Sequence, residues 1–326
     1  MVKKKRKIKL KKQAYYLLAG VVIIIVGIIL GLNFYNDYKY KQTNEYKLIN
    51  KGYSLDDAKL LIEKLSNDKL ISLISEEKND NIVKLVKEKY FLEENLDRYL
   101  AYLEEEEDTS LKDVVAIVNV NADKKWYAEE FVTDVSLKEK MIVNKFYALT
   151  EDYSPENLTD IPLTYSYGNE GENKLIDYAY EKFIDLWHAA NDAGFYLMVN
   201  SSYRDYASQK EIYDDRKATL GERKADETAA RPGHSEHQTG LVVDMTSKDV
   251  PYASDFSESA EYKWLKENAY LYGFIERYPE GKENITGYSP ESWHWRYVGE
   301  EAAKIIQEEN ITYDEYYAYY IAKNLS

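Results

Sequence analysis

Four histidines and no cysteine restrict the metal and nucleophile chemistry of this 326-residue chain from the outset. Thiolate ligands, disulfides and a cysteine nucleophile are excluded, so any metal site must draw on His, Asp, Glu or Asn. The histidines are His188, His234, His237 and His294. Two fall in Arg231 to Met245, RPGHSEHQTGLVVDM, where Pro232-Gly233 marks a turn, Gly240 permits a second bend and LVVDM has strand character. In a strand Leu241, Val243 and Met245 share one face, and Val242 and Asp244 share the other. A carboxylate in an apolar strand is expensive to bury unless a cation meets it, and a metal shared with His237 would be that cation.

The second informative stretch is Pro290 to Gly299, PESWHWRYVG. If extended, it turns Trp293, Trp295 and Tyr297 away from His294 and Arg296. Catalytic zinc takes three N or O ligands and keeps one position open. His237, Asp244 and His294 would supply that set and leave Glu291 as a nearby base for water. On spacing alone His234 is an equally admissible ligand. His188 shares a helix face with Asp185 and Asp192 and is expected to be exposed.

SEHQTGLVVD, Ser235 to Asp244, closely resembles the Ser-x-His-x-x-Gly-x-Ala-x-Asp motif of the VanY-like D-alanyl-D-alanine carboxypeptidases, within the lysostaphin, D-Ala-D-Ala metallopeptidase and hedgehog superfamily. PESWHWRYVG resembles their Glu-x-Trp-His-Trp-Arg-Tyr-Val-Gly block, and Ser201-Ser202-Tyr203-Arg204 matches a third. Val242 departs from the usual Ala but removes no ligand. The resemblance implies one zinc ion on His237, Asp244 and His294, with Glu291 as catalytic base and His234 outside the ligand set. Arg204 would hold the substrate's terminal carboxylate, which a guanidinium does with a two-pronged fork, beside Gln209 and Ser235 as substrate contacts. A surface ion pair of Arg204 with Asp205 or Asp214 is the plainer reading. The implied activity removes the C-terminal D-Ala from peptidoglycan stem peptides. An L,D-carboxypeptidase acting on tetrapeptide stems and a non-catalytic peptidoglycan-binding protein are the alternatives.

Those residues must be carried by a mixed fold. VVAIVNV, Val114 to Val120, reads as a buried strand; residues 174–193 as an amphipathic helix; 195–200 as a strand; and 205–220 as a helix. Upstream, Ser54 with Asp56 and Asp57 reads as a helix start, with further helices over 68–75 and 82–103. The expected architecture is α+β: a zinc metallopeptidase domain with a small antiparallel sheet flanked by helices, over 111–326, preceded by a helical stalk over 35–110.

Ala14 to Leu32 contains no charge, and as a helix these nineteen residues span roughly 28 Å, the thickness of a bilayer core. All eight charged side chains before Asn36 are basic. This predicts a cytoplasmic tail over 1–13, a transmembrane anchor over 14–34 and an extracellular remainder. No small-x-small cleavage site follows Leu32, which disfavours a cleaved signal peptide. The arrangement resembles Gram-positive members of the family, anchored in the cell membrane. With the N-terminus so basic, the rest of the chain is more acidic than the net charge of -15 conveys, which argues against a nucleic-acid partner.

Overall fold

The computed structural model describes residues 12–322, and the basic residues before Lys12 lie outside them. The chain divides into two compact units, Met1–Leu96 and Asp97–Ser326.

The first unit is helical: α1 (Lys12–Lys41), α2 (Asn44–Asn50), α3 (Leu55–Lys64), α4 (Asn67–Ser75) and α5 (Asp80–Leu85). Its helices start where short polar side chains satisfy the free N–H groups of the first turn. Ser54 accepts from the Asp57 amide, and Ser66 from that of Lys69. In α1, Ala14–Lys41 is long and apolar enough to cross a membrane. The single helix expected over 82–103 is instead α5, a 3-10 turn at Glu93–Asn95 and α6 (Leu96–Glu105). The extended backbone at Leu92 (φ -118°, ψ 123°) breaks it.

The second unit continues with α7 (Leu111–Asn119), β1 (Phe131–Val132), β2 (Tyr147–Ala148), β3 (Leu158–Asp160), β4 (Lys174–Ile176), α8 (Asp177–Asp192) and β5 (Leu197–Ser201). Then come α9 (Tyr206–Leu220), α10 (Glu222–Thr228), β6 (Val242–Ser247), α11 (Ala260–Asn268), β7 (Phe274–Glu276), α12 (Glu283–Thr286), β8 (His294–Tyr297), α13 (Glu300–Glu309) and α14 (Tyr313–Tyr316). The expected strand at Val114–Val120 is therefore wrong: this segment is α7. Ser110 caps it by accepting from the Asp113 amide, and Val114 to Val118 are all buried. A helix buried around its whole circumference carries no polar face to mark its period, so β-branched residues alone misled. The helix expected from Lys174 begins at Asp177, because Lys174–Ile176 pairs antiparallel with β3.

The sheet that matters for chemistry has the order β5-β6-β8-β7, antiparallel throughout. Leu197 and Val199 of β5, Val243 and Met245 of β6, and Trp295 and Tyr297 of β8 pack into one core with Ala179, Phe183, Leu186 and Ala190 of α8. The strands' alternation leaves Asp244 and His294 on the opposite face.

Candidate metal centre

Strand register assembles the site. Asp244 pairs with His294 across β6 and β8, and with Ser201 across β5, where a bulge follows Val199. Ser201, Asp244 and His294 thus form one row over three adjacent strands. His237 reaches this row from a 3-10 turn, Glu236–Thr239, which Gly240 ends in the left-handed region at φ 69°. Besides the left-handed backbone, a side chain at Gly240 would place its Cβ 3.0 Å from Leu158 Cδ2 and 3.1 Å from Pro155 Cγ, so those side chains would have to give way. Glu291 sits just before β8 and brings Oε2 to 3.5 Å from His294 Nδ1.

Each of His237, Asp244 and His294 offers one donor atom, and these atoms lie within 4.8 Å of one another. His237 Nε2 is 3.4 Å from Asp244 Oδ2, and His294 Nδ1 is 3.3 Å from Asp244 Oδ1. The other ring nitrogens are engaged. His237 Nδ1 meets the Ser202 carbonyl at 2.6 Å, and His294 Nε2 meets Glu236 Oε2 at 3.4 Å. Those contacts turn Nε2 of one ring and Nδ1 of the other toward Asp244. Asp244 Oδ1 is buried and meets no hydrogen-bond donor in good geometry among the described residues. Two imidazoles and a carboxylate whose buried Oδ1 is orphaned are the donor set that a divalent ion of zinc's kind accepts.

The electrostatics are those of a cation site. Burial alone would raise the Asp244 pKa, but His237, His294 and Arg204 outweigh it and hold the carboxyl below its usual range. Burial and the Arg204 charge push His237 down to about 3. His294 moves the other way: burial disfavours its charge, yet Asp244 and Glu236 lift it to about 9, a proton with which a metal ion would compete. Glu291 is pushed up to about 7, chiefly by burial, with Asp244 adding to the effect.

The centre lies in a cleft of about 200 Å³ that Arg204, Gln209, Ser235, Tyr278, Tyr288 and Trp293 help to line. The Arg204 side chain is not tied to Asp205 or Asp214. It donates to Gln209 Oε1 at 2.6 Å and Ser201 Oγ at 3.2 Å, and its backbone N–H reaches the His237 carbonyl at 3.2 Å. Gln209 also donates to the Ala230 carbonyl at 2.7 Å, so its amide is fixed at both ends and holds the guanidinium. His234 is elsewhere, between the Asn144 carbonyl (2.7 Å) and Glu130 (3.0 Å), and His188 is exposed. Sequence reasoning gave no part to Arg277 and Arg296, or to Glu236, the middle residue of Ser235-Glu236-His237. Glu236 and Arg296 each stand as a charged residue inside a motif, whereas Arg277 lies outside all of them and carried no signal.

Residues 172–300 match the family model for VanY, D-alanyl-D-alanine carboxypeptidase. Among curated proteins, YodJ of Bacillus subtilis is 42% identical over 179 residues, 54% of this chain and 66% of YodJ. The D-alanyl-D-alanine carboxypeptidase of Enterococcus faecalis is 43% identical over 141 residues, 40% of this chain and 51% of the enterococcal protein. The chain thus spans about half to two thirds of the length of these relatives. Among solved structures, the LdcB LD-carboxypeptidase is 42% identical with a TM-score of 0.52, covering 54% of this chain and 84% of that one. Similarity of this extent, centred on the strands and turns that carry the histidine and carboxylate cluster, makes the chain a member of the VanY D-alanyl-D-alanine carboxypeptidase family.

Proposed function

We propose that this protein is a zinc-dependent D-alanyl-D-alanine carboxypeptidase that removes the C-terminal D-Ala from peptidoglycan stem peptides. The observation that carries the reading is the convergence of donor atoms from His237, Asp244 and His294 within 4.8 Å, in the cleft that Glu291 and Arg204 share. His237, Asp244 and His294 would hold the ion, through Nε2, a carboxylate oxygen and Nδ1 respectively. Bound zinc supplies Lewis-acid polarisation of the scissile carbonyl and lowers the pKa of water.

The chain's own residues do the rest. Glu291 takes a proton from the attacking water and delivers it to the nitrogen of the departing D-alanine. Arg204, aimed by Gln209 and Ser201, pairs with the terminal carboxylate so that only the last peptide bond reaches the centre. Ser235 lines the same cleft and is available to the substrate.

A second reading, cleavage of tetrapeptide stems by L,D-carboxypeptidase action, draws support from the likeness to LdcB. D-alanine release from synthetic pentapeptide and tetrapeptide stems, assayed side by side, separates the two. Faster release from the pentapeptide supports D,D action. A preference for the tetrapeptide replaces it with L,D action. Stoichiometric zinc with no release from either stem leaves a wall-binding protein.

In the same proposal α1 is a single-pass anchor, with the basic tail cytoplasmic, residues 35–110 a stalk, and the domain over 111–326 outside the cell. Support comes from the apolar length of Ala14–Lys41 and the one-sided charge before it. Membrane fractionation of the full chain, with protease added to intact cells, tests both attachment and orientation.

A further inference from the structure

Behind His294 lies a set of ionised side chains that the reaction does not use. Glu236 is 1% exposed, and Arg277 and Arg296 are 0% exposed. Glu236 Oε1 accepts from Arg277 Nε at 2.8 Å and from Arg296 Nη1 at 3.0 Å. Both arginines are anchored in turn. Arg277 forks onto Asp314 at 2.6 and 3.1 Å, and Arg296 donates to the carbonyls of Glu139 (3.1 Å) and Met141 (2.9 Å). Asp314 also accepts from Asn144 Nδ2 at 2.8 Å. Two cations and two carboxylates balance, so the set carries no net charge into the interior.

Balance alone does not explain how Glu236 is oriented. The arginines take Oε1, and the partner of Oε2 is His294 Nε2 at 3.4 Å. We infer that Glu236 is a positioning residue for the metal centre: its Oε2 holds the His294 ring with Nδ1 facing Asp244, and its charge makes that ring the stronger ligand. This rests on the metal-site reading above and adds to it a residue outside the proposed ligand set. The two imidazoles are thereby held unequally, His237 by a neutral backbone carbonyl and His294 by a carboxylate that two arginines fix in place. Outer partners of this kind set the tautomer and basicity of a ligand, and losing one typically weakens metal binding about 10–100-fold.

The test is zinc affinity of the detergent-solubilised full chain, measured by chelator competition, for wild type, Glu236→Gln and Asp314→Asn. Glu236→Gln is expected to weaken zinc binding about 10–100-fold. Asp314→Asn strikes the same ion cluster without touching His294, and should lower Tm while leaving zinc affinity within about threefold of wild type. Equal affinity of Glu236→Gln and wild type overturns the inference, as does an equal loss in both variants. Wild type that binds no zinc removes the metal-site reading itself. Should Glu236→Gln fail to fold, long-range 1H–15N spectra of the zinc-loaded wild type still decide: His294 must carry its proton on Nε2 and ligate through Nδ1, and ligation through Nε2 overturns the assignment.

Discussion

Glu291 and Arg204 show how much two side chains gain from shared burial. Burial pushes the Glu291 carboxyl up to about 7, and its place in the cleft suits the proton-carrying role proposed for it. Glu291→Gln keeps the shape and removes the base, so zinc content should stay at wild-type level while turnover falls about 10²–10⁴-fold. Full activity with one zinc bound would remove the assignment. Arg204→Lys keeps the charge and removes the fork. Its kcat/KM on an acid-ended stem should drop about 10–100-fold, the worth of a charge-assisted bond, with little change on the amide-ended analogue. Steady-state kinetics on the two peptides reads the difference. At this scale the motifs made the centre legible, since Asp244 in an apolar strand announced a cation before any geometry was known. Glu236 was not legible, because its meaning comes from Arg277 and Arg296, which lie 41 and 60 positions away in the chain.

Turns and strands, more than helices, carry the proposed ligands. Gly240 lets the chain reverse between His237 and Asp244 in a left-handed conformation, and a Cβ added there would crowd Leu158 and Pro155. Gly240→Ala is expected to cost about 1–3 kcal/mol, from left-handed strain plus displacement of those side chains. Because the bend spaces two of the proposed ligands, zinc affinity should fall with it. Thermal melts with and without chelator test both, and a variant as stable as wild type would show that the bend relaxes freely. Local pattern read this level unevenly. The helix expected over 205–220 is α9, one residue shorter, because Asp205 stands outside it as the cap that accepts from the Ser208 amide. By contrast, Val114–Val118 became a helix because Ser110 and Asp113 fix its start and burial surrounds it. A run of valines does not encode that surrounding burial.

In the second unit as a whole, distant segments are joined by buried charge. Lys145, 2% exposed, donates to the Asp226 carbonyl at 2.6 Å and lies over the rings of Trp126, Tyr127 and Tyr288. Burial lowers its pKa to about 8, against the charges of Asp226 and Glu227. The unfolded chain therefore binds more protons than the folded one between about pH 8 and 10.5, so the penalty is complete below pH 8 and lifts as pH rises through that window. Urea melts of wild type and Lys145→Met should show wild type gaining about 2 kcal/mol on the variant from pH 7.5 to 10, since each tenfold loss of proton affinity on folding is worth about 1.4 kcal/mol. Parallel pH profiles would place the Lys145 pKa at its ordinary value.

The row of Ser201, Asp244 and His294 across neighbouring strands carries one more implication. Side chains on a pleated sheet change face at every step, so a slip of one residue would drive Asp244 into the apolar interior and turn its neighbours outward. A chain zipped up out of step cannot gather the donors, and only the properly threaded protein can be rewarded by an ion. Metal uptake in this protein therefore doubles as an inspection of its own assembly.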